Sequence, residues 1–328
     1  MDRNDRLSYR ADAQRSLTEA SYDHKKLILL HTGALLLLSV TVNIISFLLG
    51  ERIDESGGLG GLGVRGILTT VQTVLNLLPL LVLPFWQMGY VFTTVQIARE
   101  KPVGPETLLE GFRKFFLVLR LKLLMAGMYM LVVFLTTQVG TMAFMMTPWA
   151  TPMMSAIFAY SENPEDLSLM AAVDAAAVEA AVPMLVIMGV IFLALAAPLF
   201  YRFRFSEQFL MERPLKGALG AMKASSQLTA GERMGLFRLD LSFWWFYLMS
   251  GVSALLAYAD MILPRLGIQL PFSEGVNYFI CLVLYAVSQL ALHWWRKNEV
   301  SVTYAQVYAD LQNPPPEYTK EPEKRYWD

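Results

Sequence analysis

The sequence predicts an all-α integral membrane protein: a bundle of six transmembrane helices, both termini cytosolic, with amphipathic helices linking the spans on that side. Three observations carry this. Hydrophobic residues make up 55% of the 328 and charged residues only 17%, where a soluble domain carries about 25% charged. Six apolar stretches reach the roughly 20 residues needed to cross about 30 Å of hydrocarbon. Lys and Arg then alternate along the chain. Of 27, 24 fall in the amino end, the links 98–122 and 202–238, and the tail. Only Arg52, Arg65 and Arg265 lie in the opposite loops, which puts both ends in the cytosol.

The elements follow in order: a lead-in (1–26), a membrane domain (27–295) and a tail (296–328). The lead-in carries six basic and five acidic side chains. Leu7, Ala11, Leu17 and Tyr22 share one helical side with Arg10, Gln14 and Thr18. That pattern predicts a short amphipathic helix on the membrane surface. Span one, Leu27–Leu49, is longer than the apolar core of a cleavable signal and reads as a retained anchor. Its loop holds Gly58-Leu59-Gly60-Gly61-Leu62-Gly63. Membrane helices flank that match where a dinucleotide site needs a strand and a helix, so it reads as a plain loop.

Span two, Ile67–Ala98, contains Pro79 and Pro84, two causes of a kink. After Pro102 and Pro105 a helix starts near Glu106 and runs on into span three, Phe115–Met146. The stretch 147–180 has no Lys or Arg. Within it Asn163-Pro164-Glu165-Asp166 reads as a helix start, with Asn163 as N-cap and Pro164 in the first turn. An Ala-rich helix bearing Asp174 and Glu179 follows, then span four, Val182–Phe200. Spans five (Leu239–Leu263) and six (Val276–Trp295) complete the set. The last ends in His293-Trp294-Trp295-Arg296-Lys297, an interfacial cluster. The tail, Pro-rich and charged, reads as extended. Its Pro315-Pro316-Glu317-Tyr318 fits a WW-domain ligand pattern at the level of coincidence.

The two cytosolic links echo each other. Gln96-Ile-Ala-Arg-Glu100-Lys101-Pro102 matches Gln208-Phe-Leu-Met-Glu212-Arg213-Pro214, 112 residues on. Leu119-Arg120-Leu121-Lys122-Leu123 parallels Phe237-Arg238-Leu239-Asp240-Leu241. Units that run the same way through the membrane would form a parallel repeat, not an inverted one.

Ala218, Ser225-Ser226, Gly231, Leu236-Phe237, Leu239-Asp240-Leu241-Ser242-Phe243 and Trp245 resemble the signature of a bacterial multi-pass family, domain of unknown function 975. Arg10-Ala11-Asp12-Ala13 with Leu17 fits that family's charged lead-in. The resemblance covers most of residues 8–262. It implies a six-span inner-membrane protein of uncharacterised activity and brings no catalytic residues with it.

Chemistry-bearing residues are sparse. His24, His31 and His293 lie in separate segments without a second ligand at helical spacing, which argues against a metal site. Neither a P-loop lysine motif nor a Gly-x-Ser-x-Gly elbow is present, so neither an enzyme nor a cofactor is expected. The acids of 162–179 read as a solvated face. Cys281, the single cysteine, reads as a buried thiol.

Polar groups inside spans are costly in lipid and face a bundle interior. Asn43, Asn76, Gln87, Gln138 and Gln289 serve as interhelical glue in one reading and line a pathway in the other. Near the inner interface, Arg120, Lys122 and Arg238 can snorkel. Asp240 cannot reach far and needs a partner, with Lys122 and then Arg120 the expected ones. Gly217, Gly220, Ala221, Ala224 and Ser225 form a small-residue face for packing. Lys216, Lys223 and Arg233 offer a surface to anionic lipid head groups or a protein partner.

The expected partner is the bilayer of the cytoplasmic membrane, and no nucleic acid. Two functions remain open: transport or lipid handling, which six spans with internal amides favour, and a membrane scaffold or regulatory subunit docking through its cytosolic helices. Open amides on a water-accessible path would mark the first. Amides closed on neighbouring helices would mark the second.

Overall fold

The computed structural model describes residues 3–55, 62–265, 267–268 and 271–312. Within them the chain is helical, with no strand. Gly58–Gly61 and the motif Pro315–Tyr318 lie outside the described residues; Leu62 and Gly63 already open a helix. Five helices are long and apolar enough to cross a membrane: His24–Ile53, Val64–Ala98, Phe115–Met145, Ser168–Glu212 and Gly275–Gln312. A bent pair, Arg233–Ser242 with Trp244–Leu256, makes a sixth if it counts as one span. The chain divides into two compact units, Met1–Leu119 with Phe205–Asp328, and Arg120–Arg204.

In the first unit, α1 (Arg3–Glu19) precedes α2 (His24–Glu55). Asp23 caps α2 by accepting the N–H of Lys25 at 2.8 Å. That bond holds its carboxyl below the ordinary 3.8. Helix α3 (Leu62–Ala98) contains Pro79 and Pro84 as expected and packs along α2. Its chain then turns back through a 3₁₀ turn (Pro105–Leu109) and the single turn α4 (Glu110–Arg113). The fold-back is tight. A Cβ on Gly89 would stand 1.8 Å from the Leu108 carbonyl oxygen, and one on Gly111 would stand 1.9 Å from that of Phe85. Only glycine permits this approach.

The helix expected to run unbroken from Glu106 into span three stops at Lys114, which sits at φ −103°, ψ 30°. Its ammonium donates to the Met211 carbonyl at 2.7 Å and lies 4.7 Å from the centre of the Phe92 ring. Burial pushes that group's pKa down, and both contacts hold the chain at the break. Helix α5 (Phe115–Met145) starts afresh after it.

The second unit holds most of α5, α6 (Ala150–Glu162) and α7 (Leu167–Arg202). Phe144, Ala150 and Ala180 make its core. The Ala-rich helix and span four, expected as two elements, are one continuous helix. Its cap is Asp166, which accepts from the Ser168 N–H at 2.9 Å. Asn163, the expected cap, closes α6 instead. The motif had the right chemistry three residues too early, because α6 already uses Asn163.

Back in the first unit, α8 (Ser206–Glu212), a 3₁₀ turn (Pro214–Lys216), α9 (Gly217–Leu228) and α10 (Arg233–Ser242) form the second link. Span five is not straight: α11 (Trp244–Leu256) leaves α10 at 66°. Ser242 donates to the Leu239 carbonyl at the bend, a back-bond that competes with the helix. Helix α12 (Ala259–Arg265) and α13 (Glu274–Leu292) follow.

The tail reading changes most. His293–Lys297 forms a π-helical turn and Asn298–Gln312 a helix, α14, most of whose side chains are buried. Helix α14 packs on α1 and α3. Ala13 and Leu17 of α1 join Ile97, Val103 and Val302 in one core. The lead-in helix therefore buries Ala13, Ser16 and Leu17, while Leu7 and Ala11 stay exposed. The buried stripe is rotated from the predicted one because α14 packs against α1.

Candidate functional site

Polar chemistry in the first unit concentrates where the π-helical turn and α14 meet α1, α2 and α3. Glu299 is the centre, its side chain 8% exposed. Arg10 donates to it through Nε at 3.1 Å and a terminal nitrogen at 2.8 Å. Arg296 donates to its other oxygen. Arg10 also lies 4.8 Å from the centre of the Phe243 ring, at the α10–α11 bend. A buried carboxylate needs such pairing, and here the cations come from opposite ends of the chain.

Beside it, Asn298 donates to the His24 carbonyl at 2.6 Å and accepts from the Tyr90 hydroxyl at 2.8 Å. It thereby ties α14 to α2 and α3. On the far face of α14, Arg99 meets Glu212 at 2.8 Å and Gln312 at 2.6 Å. Tyr308 donates to Glu212 at 2.8 Å. Arg99 belongs to the first echo and Glu212 to the second, so the two links pair at their starts. Tyr9, facing Asp310, has its phenol pKa raised, by burial first and that carboxylate second.

His31 is fully buried, stacked 4.3 Å from Tyr90 and parallel to Trp86 at 6.2 Å. Neither ring nitrogen has a hydrogen-bond partner within geometric range. Thr32 bonds His293 at 3.1 Å. His293, remote in sequence, thus comes beside the α2 helix that carries His24 and His31. Among the described residues no three metal-ligating side chains cluster.

The predicted amides divide. Asn76 accepts from the Ser46 hydroxyl at 2.8 Å, and Gln72 donates to the Ser46 carbonyl at 2.9 Å, pinning α2 to α3. Gln289 donates to the Ser250 carbonyl at 3.1 Å across α11 and α13. Asn43 bonds back to Ser39 on its own helix, with the Tyr278 hydroxyl 3.5 Å away. Gln87 is half-buried on α3 near His31. Gln138 is exposed on α5 in the second unit.

Asp240 takes hydrogen bonds from Tyr247 at 2.9 Å and from Tyr304 of α14. These two phenols are partners that its sequence surroundings did not suggest. Arg120, exposed, and Lys122, half-buried, begin the second unit. Lys216, Lys223 and Arg233 are exposed on the second link, beside the exposed Leu215 and Leu219. Of the small-residue face, Ala221 and Ser225 are buried and Gly217, Gly220 and Ala224 half-buried, and Ser225 accepts the Phe205 N–H at 3.0 Å. Cys281 is buried as expected.

A family model described as a protein of unknown function (DUF975) matches residues 20–307. The chain belongs to this family. The match runs past residue 262 into α14, and it starts after Arg10–Leu17. Within the DUF975 signature, Ser225 holds a backbone bond and Gly231 adopts φ 91°, a turn conformation that excludes most side chains. No curated protein and no solved structure matches the chain.

What the sequence missed is the Arg10–Glu299–Arg296 hub. Arg10 lies 289 residues from Glu299, and the only available signal was Glu299 standing among aliphatic and tyrosine positions in a segment read as tail.

Proposed function

We propose that this chain is a non-enzymatic membrane scaffold of the cytoplasmic membrane, with both termini cytosolic, that docks partners through its linking helices. The observation that supports this reading is the hydrogen bonding of Gln289, which is buried, and of Asn76, which stays exposed, to neighbouring helices. Amides used as glue hold a bundle, whereas a conduit keeps them open to its path. The exposed Lys216, Lys223 and Arg233, next to Leu215 and Leu219, form the docking face. Orientation rests on the charge count: three of the 27 basic residues lie in the loops assigned outside.

Reconstitution in sealed vesicles tests it. The scaffold reading expects proton, potassium and labelled-lipid flux equal to protein-free vesicles, and lower thermal stability in Asn76→Leu and Gln289→Leu. Flux that either substitution abolishes would restore transport or lipid handling. Reporter fusions at residues 108 and 220 check the orientation: an external signal at either would reverse it.

A further inference from the structure

A second basic site lies apart from the docking face, where the first turn of α2 meets the π-helical turn. Lys25 reaches 6.0 Å from the centre of the Trp294 ring, joining the two elements. Lys26 stands beside it, exposed. Lys297 is half-buried, with its ammonium 5.7 Å from the centre of the Tyr90 ring.

The carboxylates within reach are already engaged. Asp23 caps α2, and Glu299 is closed by Arg10 and Arg296. Among the described residues, Lys25 and Lys297 form no salt bridge, while Lys26 shares the charge of Asp23. Beneath them lies the fully buried His31, faced by Lys297, His293 and the Gln87 amide. This is a cluster of three lysines that holds one carboxylate, Asp23, and so keeps an excess of positive charge. Trp294 and Trp295 flank it, 44% and 69% exposed, as rings at the headgroup level do. A π-helical turn widens the helix at the same place, a feature frequent at functional sites.

We infer that this junction binds the phosphodiester head group of an anionic phospholipid, one molecule per chain. Lys25, Lys26 and Lys297 bind the phosphate, and the tryptophans lie along the glycerol and upper acyl region. Phosphate suits the cluster because it supplies acceptors and negative charge together. The membrane supplies the source, since the flanking tryptophans need an apolar phase as well as water. The inference goes beyond the scaffold reading and stands without it.

The test uses full-length protein in an uncharged detergent, with thermal unfolding and native mass spectrometry as readouts. The probes are phosphatidylglycerol, phosphatidylcholine and inorganic phosphate. Phosphatidylglycerol is expected to raise Tm, to remain bound as one molecule, and to lose its effect in high salt. Lys25→Gln with Lys297→Gln should weaken it about thirtyfold, a factor of about five for each lysine. Lys101→Gln, at an exposed lysine of the first link, should leave it unchanged.

Equal shifts with phosphatidylcholine would overturn the proposal, because chains alone would then bind. So would a shift reproduced by inorganic phosphate, which would assign the site to a free anion. Full binding in the Lys25/Lys297 double variant would overturn it as well. Should that variant fail to fold, Lys25→Arg with Lys297→Arg keeps the charge. Binding retained in this pair but insensitive to salt would then refute the electrostatic role.

Discussion

The two links that join membrane helices begin with the same pattern and end in different architectures. The first, 99–114, returns onto α3 at backbone contact, with Gly89 and Gly111 admitting carbonyl oxygens where any side chain would collide. Phe85 stacks on Phe115 at 4.4 Å, and Thr93 bonds Thr107 at 2.7 Å. The second, 205–243, is a longer run of short helices that buries Ala218, Ala221 and Ser225 and leaves Leu215, Leu219 and Lys223 outside. Their starts pair through Arg99 and Glu212. Their ends diverge: the first breaks at Lys114, before its Leu-Arg-Leu-Lys segment, and the second at Phe243, after its Leu-Asp-Leu. A shared motif thus set where each helix stops, while glycine placement decided whether the returning chain lies flush or stands off with a free face.

Substitutions at the close contacts break this comparison most sharply. Gly89→Ala and Gly111→Ala should each cost about 3 kcal/mol or more, because backbone rather than a movable side chain must give way. Yield and Tm in detergent measure it. Gly127→Ala, with nothing within 4 Å of the new Cβ, serves as the matched control and should be neutral or stabilising. A comparable loss in the control would show general intolerance instead. In the second link, Gly231→Ala should cost only about 1–2 kcal/mol, the strain of one residue at positive φ.

Glu299→Gln should come next. It leaves Arg10 and Arg296 without their carboxylate. Their side chains keep 30% and 35% exposure, so the loss should be about 2–3 kcal/mol rather than the larger value of a fully buried pair. Proteolysis of α1 and α14 ought to accelerate with it; unchanged protection would remove Glu299 from the hub.

Asp240→Asn combined with Tyr304→Phe sharpens the reading of the α10–α11 bend. A coupling of about 1 kcal/mol is expected for a direct hydrogen bond to a charged group. Strict additivity would mean that the bond does not form.

The smallest effect is at Asp23. Its carboxyl sits below the ordinary 3.8 because the Lys25 N–H favours the ionised form. The bond therefore adds stability above that pH and loses it as pH falls through the lowered value. The Tm gap between wild type and Asp23→Ala should be widest near neutrality and close as pH falls below 3.8. A gap constant with pH would point to packing, not charge.

Much of the membrane core was legible because apolar length is a local property. Span two kept its prolines, span three ended within a residue of its expected boundary, and Cys281 was buried. Local signals failed where a partner distant in sequence decides. Asn163 and Asp166 are equally good caps, and only the preceding helix settles which one serves α7. Asp240 was legible as a carboxylate that needs partners, and only the fold shows that the Tyr304 hydroxyl of α14 is one of them. The amides could be seen as polar groups in lipid, but not as open or closed.

By itself the sequence determined that this chain is a helical membrane protein, roughly where its spans lie and which residues the family signature marks. These follow from composition summed over about 20 residues at a time, a scale on which hydration alone selects the phase. Only the tertiary structure decided that Asn298–Gln312 becomes a largely buried helix and that the amino-terminal helix turns Ala13 and Leu17 inward. It also brought Arg10 to Glu299 across 289 residues. A helix as polar as α14 is hidden only when another segment supplies matching cations and a fitting apolar face. That match depends on where distant segments of the chain are brought together, which no local window contains.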